Sequence, residues 1–168
     1  LNTRDASLTA LPGSPFSTGG NGARQMSFFG YRLVDNEDGL AVANFDSDTV
    51  SLFSINYETG AITRQAILPT GDGPSGVFQS ASANFGTLKV LNRLDGTYTV
   101  IHSSQGNLSA DPPLSMGRRP TAGVPVSFGT DVVVQDVSNI LEVRQNDPST
   151  VGSQLLNSIA VGVDPESV

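Results

Sequence analysis

A Gly-x-x-Pro turn recurs three times along the chain at nearly constant spacing. The three copies are Gly71 to Pro74, Gly117 to Pro120 and Gly162 to Pro165, and their glycines are 46 and 45 residues apart. A fixed period of this length indicates one structural unit that is used repeatedly. The recurrence therefore restricts the chain to a repeat architecture.

Each period contains four short strand-like segments that are separated by turn residues. After the first copy of the turn the order is GVFQSASA, TLKVLN, TYTVIHSS and NLSADPPLSM, and the neighbouring units follow the same order. A degenerate turn, Gly19 to Gly22, begins 52 residues before Gly71, and a longer loop at 35 to 39 accounts for the difference. We therefore expect three complete units, at 23–69, 74–115 and 120–160. Residues 1–16 should be the closing strand of a preceding unit, and residues 165–168 should be the start of a next one.

The composition favours short strands, because the chain has 18 Gly and 10 Pro and only 15% charged residues. Several segments, such as VSLFSI and DVVVQ, are apolar on both faces, which indicates that both faces are covered. In a β-propeller each four-stranded sheet, or blade, lies between two neighbours. A β-sandwich also needs short strands but does not explain the period. The sequence thus predicts an all-β fold, a β-propeller of four-stranded blades.

Charge and composition exclude several classes of function. The net charge is −7 and no basic stripe is present, so nucleic acid is not an expected partner. No apolar run is long enough to cross a membrane as a helix, and a chain without Cys has no disulfide scaffold. The chain begins at Leu1, which indicates a processed or truncated product, and Asn107-Leu108-Ser109 is a glycosylation sequon. We expect an extracellular or secreted location rather than a cytoplasmic one.

Residues 42–63 (VANFDSDTVSLFSINYETGAIT) and 68–77 (LPTGDGPSGV) resemble the blade signature of the seven-bladed lactonase-like propellers. That family includes bacterial 6-phosphogluconolactonase and fungal carboxymuconate-cyclising enzymes, and the YVTN repeat proteins share the signature. Residues 7–19 look like its blade-closing strand. The resemblance implies about seven blades of roughly 45 residues, whereas this chain has three. An open arc exposes apolar sheet faces, so we expect the remaining blades of the same propeller, or a second chain, to close the ring.

The resemblance places a ligand site at the mouth of the central channel, where the turns before the first strand and after the second strand of each blade meet. Arginines beside carboxylates there would bind an anionic sugar lactone or dicarboxylate, with a carboxylate as general base. The expected ligand-binding residues are Arg24, Arg118, Arg119, Asn44, Asn92 and Arg93, and the expected catalytic residues are Asp72 and Glu166. The competing interpretation is that the Asp and Asn residues only stabilise tight turns.

The single histidine, His102, falls at the end of a third strand, away from the expected mouth. This position argues against a Ser-His-Asp triad, which needs its histidine beside the nucleophile. A lone His without Cys does not make a zinc site, and the acidic stretch 35–38 lacks the ligand spacing of a calcium loop and is expected to be a solvated loop. We expect no metal and no cofactor.

Two functions remain open at this point. The first is that of a lactonase-like propeller that hydrolyses or forms lactones of anionic sugars or dicarboxylate-type molecules. The alternative is a non-enzymatic extracellular propeller whose loop face binds a protein or a glycan, since one fold supports many functions. The sequence does not decide whether the protein is an enzyme.

Overall fold

The computed structural model describes residues 10–11, 13–34, 37–79, 87–104, 106–117, 119–127, 129–135, 139–146 and 153–161. In these ranges the chain forms three antiparallel sheets, each with its strands in sequence order. The prediction of an all-β fold of four-stranded blades is therefore confirmed. None of the described segments forms a helix that is long and apolar enough to cross a membrane.

The three sheets are called blades 1, 2 and 3. Blade 1 consists of β1 (Ala23–Val34), β2 (Glu37–Asn44), β3 (Thr49–Ile55) and β4 (Ile62–Pro69), with a 3-10 turn at Phe45–Ser47. Blade 2 consists of β5 (Pro74–Gln79), β6 (Thr87–Asn92), β7 (Thr97–Ser104), β8 (Asn107–Ala110) and the short β9 (Leu114–Ser115). Blade 3 consists of β10 (Pro120–Ser127), β11 (Thr130–Gln135), β12 (Ile140–Asn146) and β13 (Ser153–Ala160).

Two segments differ from the sequence-based expectation. The loop expected at 35–39 is shorter, because Asp38 and Gly39 lie in β2 and pair with Ile55 and Ser54 of β3. The last strand of blade 2 is interrupted between β8 and β9 by Asp111-Pro112-Pro113. A proline has no backbone N–H to donate to a neighbouring strand, which explains the interruption.

The first strands of the blades lie side by side, as they do around the axis of a propeller. Both β1 and β10 pack against β5. The Val77 N–H donates to Gln25 Oε1 at 3.0 Å, and the Ser75 hydroxyl donates to the Pro120 carbonyl at 3.4 Å. The fourth strands, β4 and β13, end the sheet order on the opposite edge. The inner edge of the arc is therefore made by β1, β5 and β10.

The two interfaces between blades have different chemistry. The interface between blades 1 and 2 is apolar and consists of Ala41, Val50, Leu52, Val77, Leu88, Val90 and Ile101. The cluster between blades 2 and 3 contains Phe78, Leu91, Tyr98, Met116 and Val133. The side chains of Lys89, Asp131, Glu142 and Arg144 are also buried at this second interface. The buried charged side chains of the described residues therefore lie at the interface between blades 2 and 3.

The forward face of each blade is the face that points toward the next blade in sequence. Phe78, opposite Lys89, lies on the forward face of blade 2, and Val124, opposite Val132, has the same register in blade 3. Phe78 is 5% exposed, whereas Val124 is 40% exposed. Val126 and Ile159 are also exposed. The forward face of blade 3 is therefore an apolar surface that no described residue covers fully.

Candidate functional site

The mouth end of the molecule is the end where the turns between blades meet the turns that join second and third strands. In an antiparallel four-stranded sheet these turns lie at the same end. The described residues of the mouth end are 20–24, 45–48, 70–73, 93–96, 116–117, 119 and 139.

A left-handed residue occurs at the same place of this end in each blade. Asp48, Gly96 and Asn139 have φ angles of 52°, 69° and 50°. Their carbonyls accept hydrogen bonds from the backbone N–H groups of Thr70, Met116 and Val161, at 2.9, 2.9 and 2.7 Å. Asp, Asn and Gly tolerate this conformation better than other residues. The recurring turn residues therefore join each blade to the loop that leaves it.

Asn44 and Asn92 occupy equivalent positions and are fully buried. The Asn44 amide donates to the hydroxyls of Thr49 and Ser51, at 3.1 and 2.8 Å. The Asn92 amide donates to the Thr97 and Thr99 hydroxyls, at 2.9 and 3.0 Å. Both amides lie beneath a glycine of the preceding loop, Gly20 or Gly71, where a Cβ would meet them. Their geometry supports a turn, and their binding of a ligand stays a prediction.

Asp72 is the exposed residue of a loop that two neighbouring carboxylates hold. The Asp72 N–H donates to Asp95 Oδ2, and the Gly73 N–H donates to Asp48 Oδ1, both at 2.9 Å. The Asp72 carbonyl accepts from the Leu94 N–H at 3.1 Å. Asp48 and Asp95 are therefore used to position the loop, whereas the Asp72 side chain is at the surface.

Arg24 and the loop that contains Asp72 and Gly73 lie against one aromatic ring, that of Phe45. The Arg24 guanidinium lies 4.4 Å from the centre of the Phe45 ring. Gly73 packs on the same ring, since a Cβ there would be 3.1 Å from Phe45 Cε2. The Arg93 N–H donates to the Gly73 carbonyl at 2.9 Å. A cation over an aromatic face is stabilised by the ring quadrupole, so Phe45 restrains Arg24.

Sequence reasoning missed Phe45, although an aromatic residue in a tight turn next to Asn44 was a signal of a surface role. Arg119 is exposed and precedes Pro120, whose carbonyl accepts from Ser75. Arg118 and Glu166 lie outside the described residues.

His102 lies away from the mouth end, as its position in the sequence predicted. It pairs with Ser109 of β8, and its Nε2 is 2.8 Å from Asp111 Oδ2. Both side chains are partly exposed. Among the described residues, no group of three or more His, Asp or Glu side chains is close enough together to hold a metal ion.

Comparisons with known proteins identify the fold. No family model and no curated protein matches the sequence significantly. A putative 6-phosphogluconolactonase from Bacteroides fragilis is similar in structure, with a TM-score of 0.71, 17% identity and coverage of 88% of this chain and 41% of that one. The periplasmic gluconolactonase of Pseudomonas aeruginosa is also similar, with a TM-score of 0.68, 20% identity and coverage of 86% of this chain and 41% of that one.

A protein of unknown function from Desulfotomaculum acetoxidans gives a TM-score of 0.69 and 13% identity, with coverage of 86% and 45%. The chain thus spans less than half the length of each of these three structures. Its three blades have the fold of the lactonase-like β-propellers.

Proposed function

We propose that the mouth end binds the anionic group of a sugar lactone or dicarboxylate lactone, and that the whole protein hydrolyses or forms such lactones. The observation that carries this proposal is that exposed Arg24 is restrained on the Phe45 ring, on which Gly73, the neighbour of exposed Asp72, also packs. The names of two structural neighbours, a putative 6-phosphogluconolactonase and a gluconolactonase, support a sugar lactone as the substrate.

The proposed chemistry assigns one role to each kind of group. An arginine forms two parallel hydrogen bonds with a carboxylate or phosphate, so Arg24 and Arg119 would orient the substrate. The Asp72 carboxylate would take a proton from water as the water oxygen attacks the lactone carbonyl. The ring C–O bond then breaks, the ring oxygen takes up a proton, and the hydroxy acid is released. Lactone formation is the reverse reaction.

Replacing Arg24 or Arg119 with Ala should weaken binding of 6-phosphogluconate by about 10- to 100-fold, because a charge-assisted hydrogen bond contributes about 1.5–3 kcal/mol. Calorimetric titration and lactone hydrolysis by the longest available form of the protein are the measurements. Arg64→Ala is the matched control, because Arg64 is an exposed arginine of the rim strand β4.

Unchanged affinity in both mouth variants would contradict the proposed anion site. If Arg24→Ala weakens binding but no lactone of a panel of sugar lactones and muconolactones is hydrolysed, the site binds ligands without catalysis. That result would favour the non-enzymatic alternative.

We also propose that further blades cover the forward face of blade 3. The equivalent faces of blades 1 and 2 are each buried by the next blade. The similar structures are more than twice as long as the matched region.

The chain in isolation should therefore self-associate or co-purify with a companion segment, which light scattering after size exclusion and intact mass would detect. A monodisperse 17.5 kDa monomer at high concentration would contradict the need for closure.

A further inference from the structure

A buried network lies behind the loop that carries Arg119. The Arg144 Nε donates to Glu142 Oε2 at 2.7 Å, and its Nη2 donates to the Met116 carbonyl at 3.2 Å. Glu142 Oε2 also accepts from the Gln135 amide at 2.9 Å. Gln135, Glu142 and Arg144 are 0%, 1% and 7% exposed. One guanidinium therefore connects the core of blade 3 to the loop at the mouth end.

Blades 1 and 2 hold their loops at the same register with hydroxyl groups. Ser51 and Thr99 each lie seven residues after the buried amide of their blade, as Glu142 lies after Gln135. The Ser51 hydroxyl donates to the Thr18 carbonyl at 2.6 Å, and the Thr99 hydroxyl accepts from the Gly71 N–H at 3.2 Å. In blade 3 the position of this hydroxyl is taken by Glu142, and the contact with the loop is made by the guanidinium of Arg144, which Glu142 binds.

The loop after Met116 also lacks a support that the loop after Thr70 has. In blade 1 the Asp48 carboxylate accepts from the Gly73 N–H, but the equivalent residue in blade 2 is Gly96, which has no side chain. A Cβ built on Gly117 would meet nothing within 4 Å. The Gly117 N–H donates to the Ser115 hydroxyl at 3.2 Å, and the Arg144 contact with the Met116 carbonyl is a second attachment for this loop.

We propose that Gln135, Glu142 and Arg144 are positioning residues that fix the backbone at Met116 and Gly117 and thereby orient Arg119 toward the ligand. The proposal rests on the proposed anion site, because Arg119 is a predicted ligand-binding residue of that site. Gln135 orients Glu142, Glu142 orients and neutralises Arg144, and Arg144 holds the Met116 carbonyl. A charge-assisted hydrogen bond in a buried place is stronger than a neutral one.

Arg144→Lys tests the proposal in the full chain. Lysine keeps the positive charge beside Glu142, but a single ammonium lacks the two separated donors that reach Glu142 and Met116 together. We expect amide hydrogen exchange at Met116, Gly117 and Arg119 to become about tenfold faster, with exchange at Gly71 and Gly73 unchanged. Affinity for 6-phosphogluconate should fall as in Arg119→Ala.

Thr99→Ala is the matched control, because it removes the equivalent contact from blade 2. It should accelerate exchange at Gly71 and leave Gly117 unchanged. A folded Arg144→Lys variant with wild-type exchange at Met116 and Gly117 would overturn the positioning role. If exchange is faster but the unmodified protein binds no 6-phosphogluconate, the positioning of the loop stands and the proposed anion site fails.

Discussion

Replacing Lys89 with Met should lower the free energy of unfolding by about 3–5 kcal/mol, because the change removes the ammonium that pairs with the buried Asp131 carboxylate. Lys89 Nζ lies 2.7 Å from Asp131 Oδ2, and the two side chains are 9% and 1% exposed. Burial lowers the pKa of Lys89, and the attraction of Asp131 opposes that shift. The ammonium therefore depends on Asp131. Asp131→Leu should be destabilising for the reciprocal reason.

The double variant K89M/D131L should regain most or all of the lost stability. At the interface between blades 1 and 2, the same register positions are occupied by Ala41 and Leu88, and that interface is apolar. Replacing a buried ion pair with apolar residues of similar volume is often neutral or stabilising by about 1–4 kcal/mol. Urea unfolding of the two single variants and the double variant gives the coupling energy directly.

An exposed charge provides the control for this cycle. Glu58→Ala in the turn before β4 should change stability by no more than about 0.5 kcal/mol, because surface substitutions seldom do more. A double variant as unstable as the less stable single variant would show that the pair is not a local and replaceable feature. That result would mean that Lys89 or Asp131 also supports the interface through other neighbours. Arg144 is one such neighbour, because its positive charge lowers the pKa of Lys89.

The fold was predictable because the residues that separate its strands act through local backbone conformation. The Gly and Pro residues of the Gly-x-x-Pro turns, and the Asx residues of the tight turns, mark the ends of strands directly in the sequence. The equivalence of Asn44 and Asn92 was also visible in the sequence. Their hydrogen bonds to hydroxyls five and seven residues later were not inferred, because they depend on which side chains share one face of two paired strands.

The interactions between blades were not predictable in the same way. Lys89 and Asp131 are 42 residues apart, and they meet only because two sheets pack face to face. Gln135 does not look like Asn44 or Asn92 in the sequence, yet it pairs with Pro120 as Asn92 pairs with Pro74. Of the candidate site, the exposed positions of Arg24, Asp72 and Arg119 followed from their places in or directly next to the turns between blades. The restraint of Arg24 by Phe45 required knowledge of the turn geometry.

Phe78→Ala should lower the free energy of unfolding by about 3–5 kcal/mol, since the ring is 5% exposed in the cluster between blades 2 and 3. Its ring edge lies so close to Gly123 that a Cβ there would be 2.5 Å from Phe78 Cε1. Guanidinium unfolding monitored by circular dichroism would measure the loss.

Val124→Ala is the matched variant, because Val124 has the register of Phe78 one blade later. In the isolated chain this substitution should lower the free energy of unfolding by less than about 1 kcal/mol, since Val124 is 40% exposed. In a longer form whose next blade covers this face, the cost should rise toward the values of buried valines. An equally small cost in both forms would show that Val124 stays at the surface and that the next blade does not pack there. A large cost in the isolated chain would mean that copies of the chain already bury this face on one another, which a dependence of the unfolding midpoint on protein concentration would reveal.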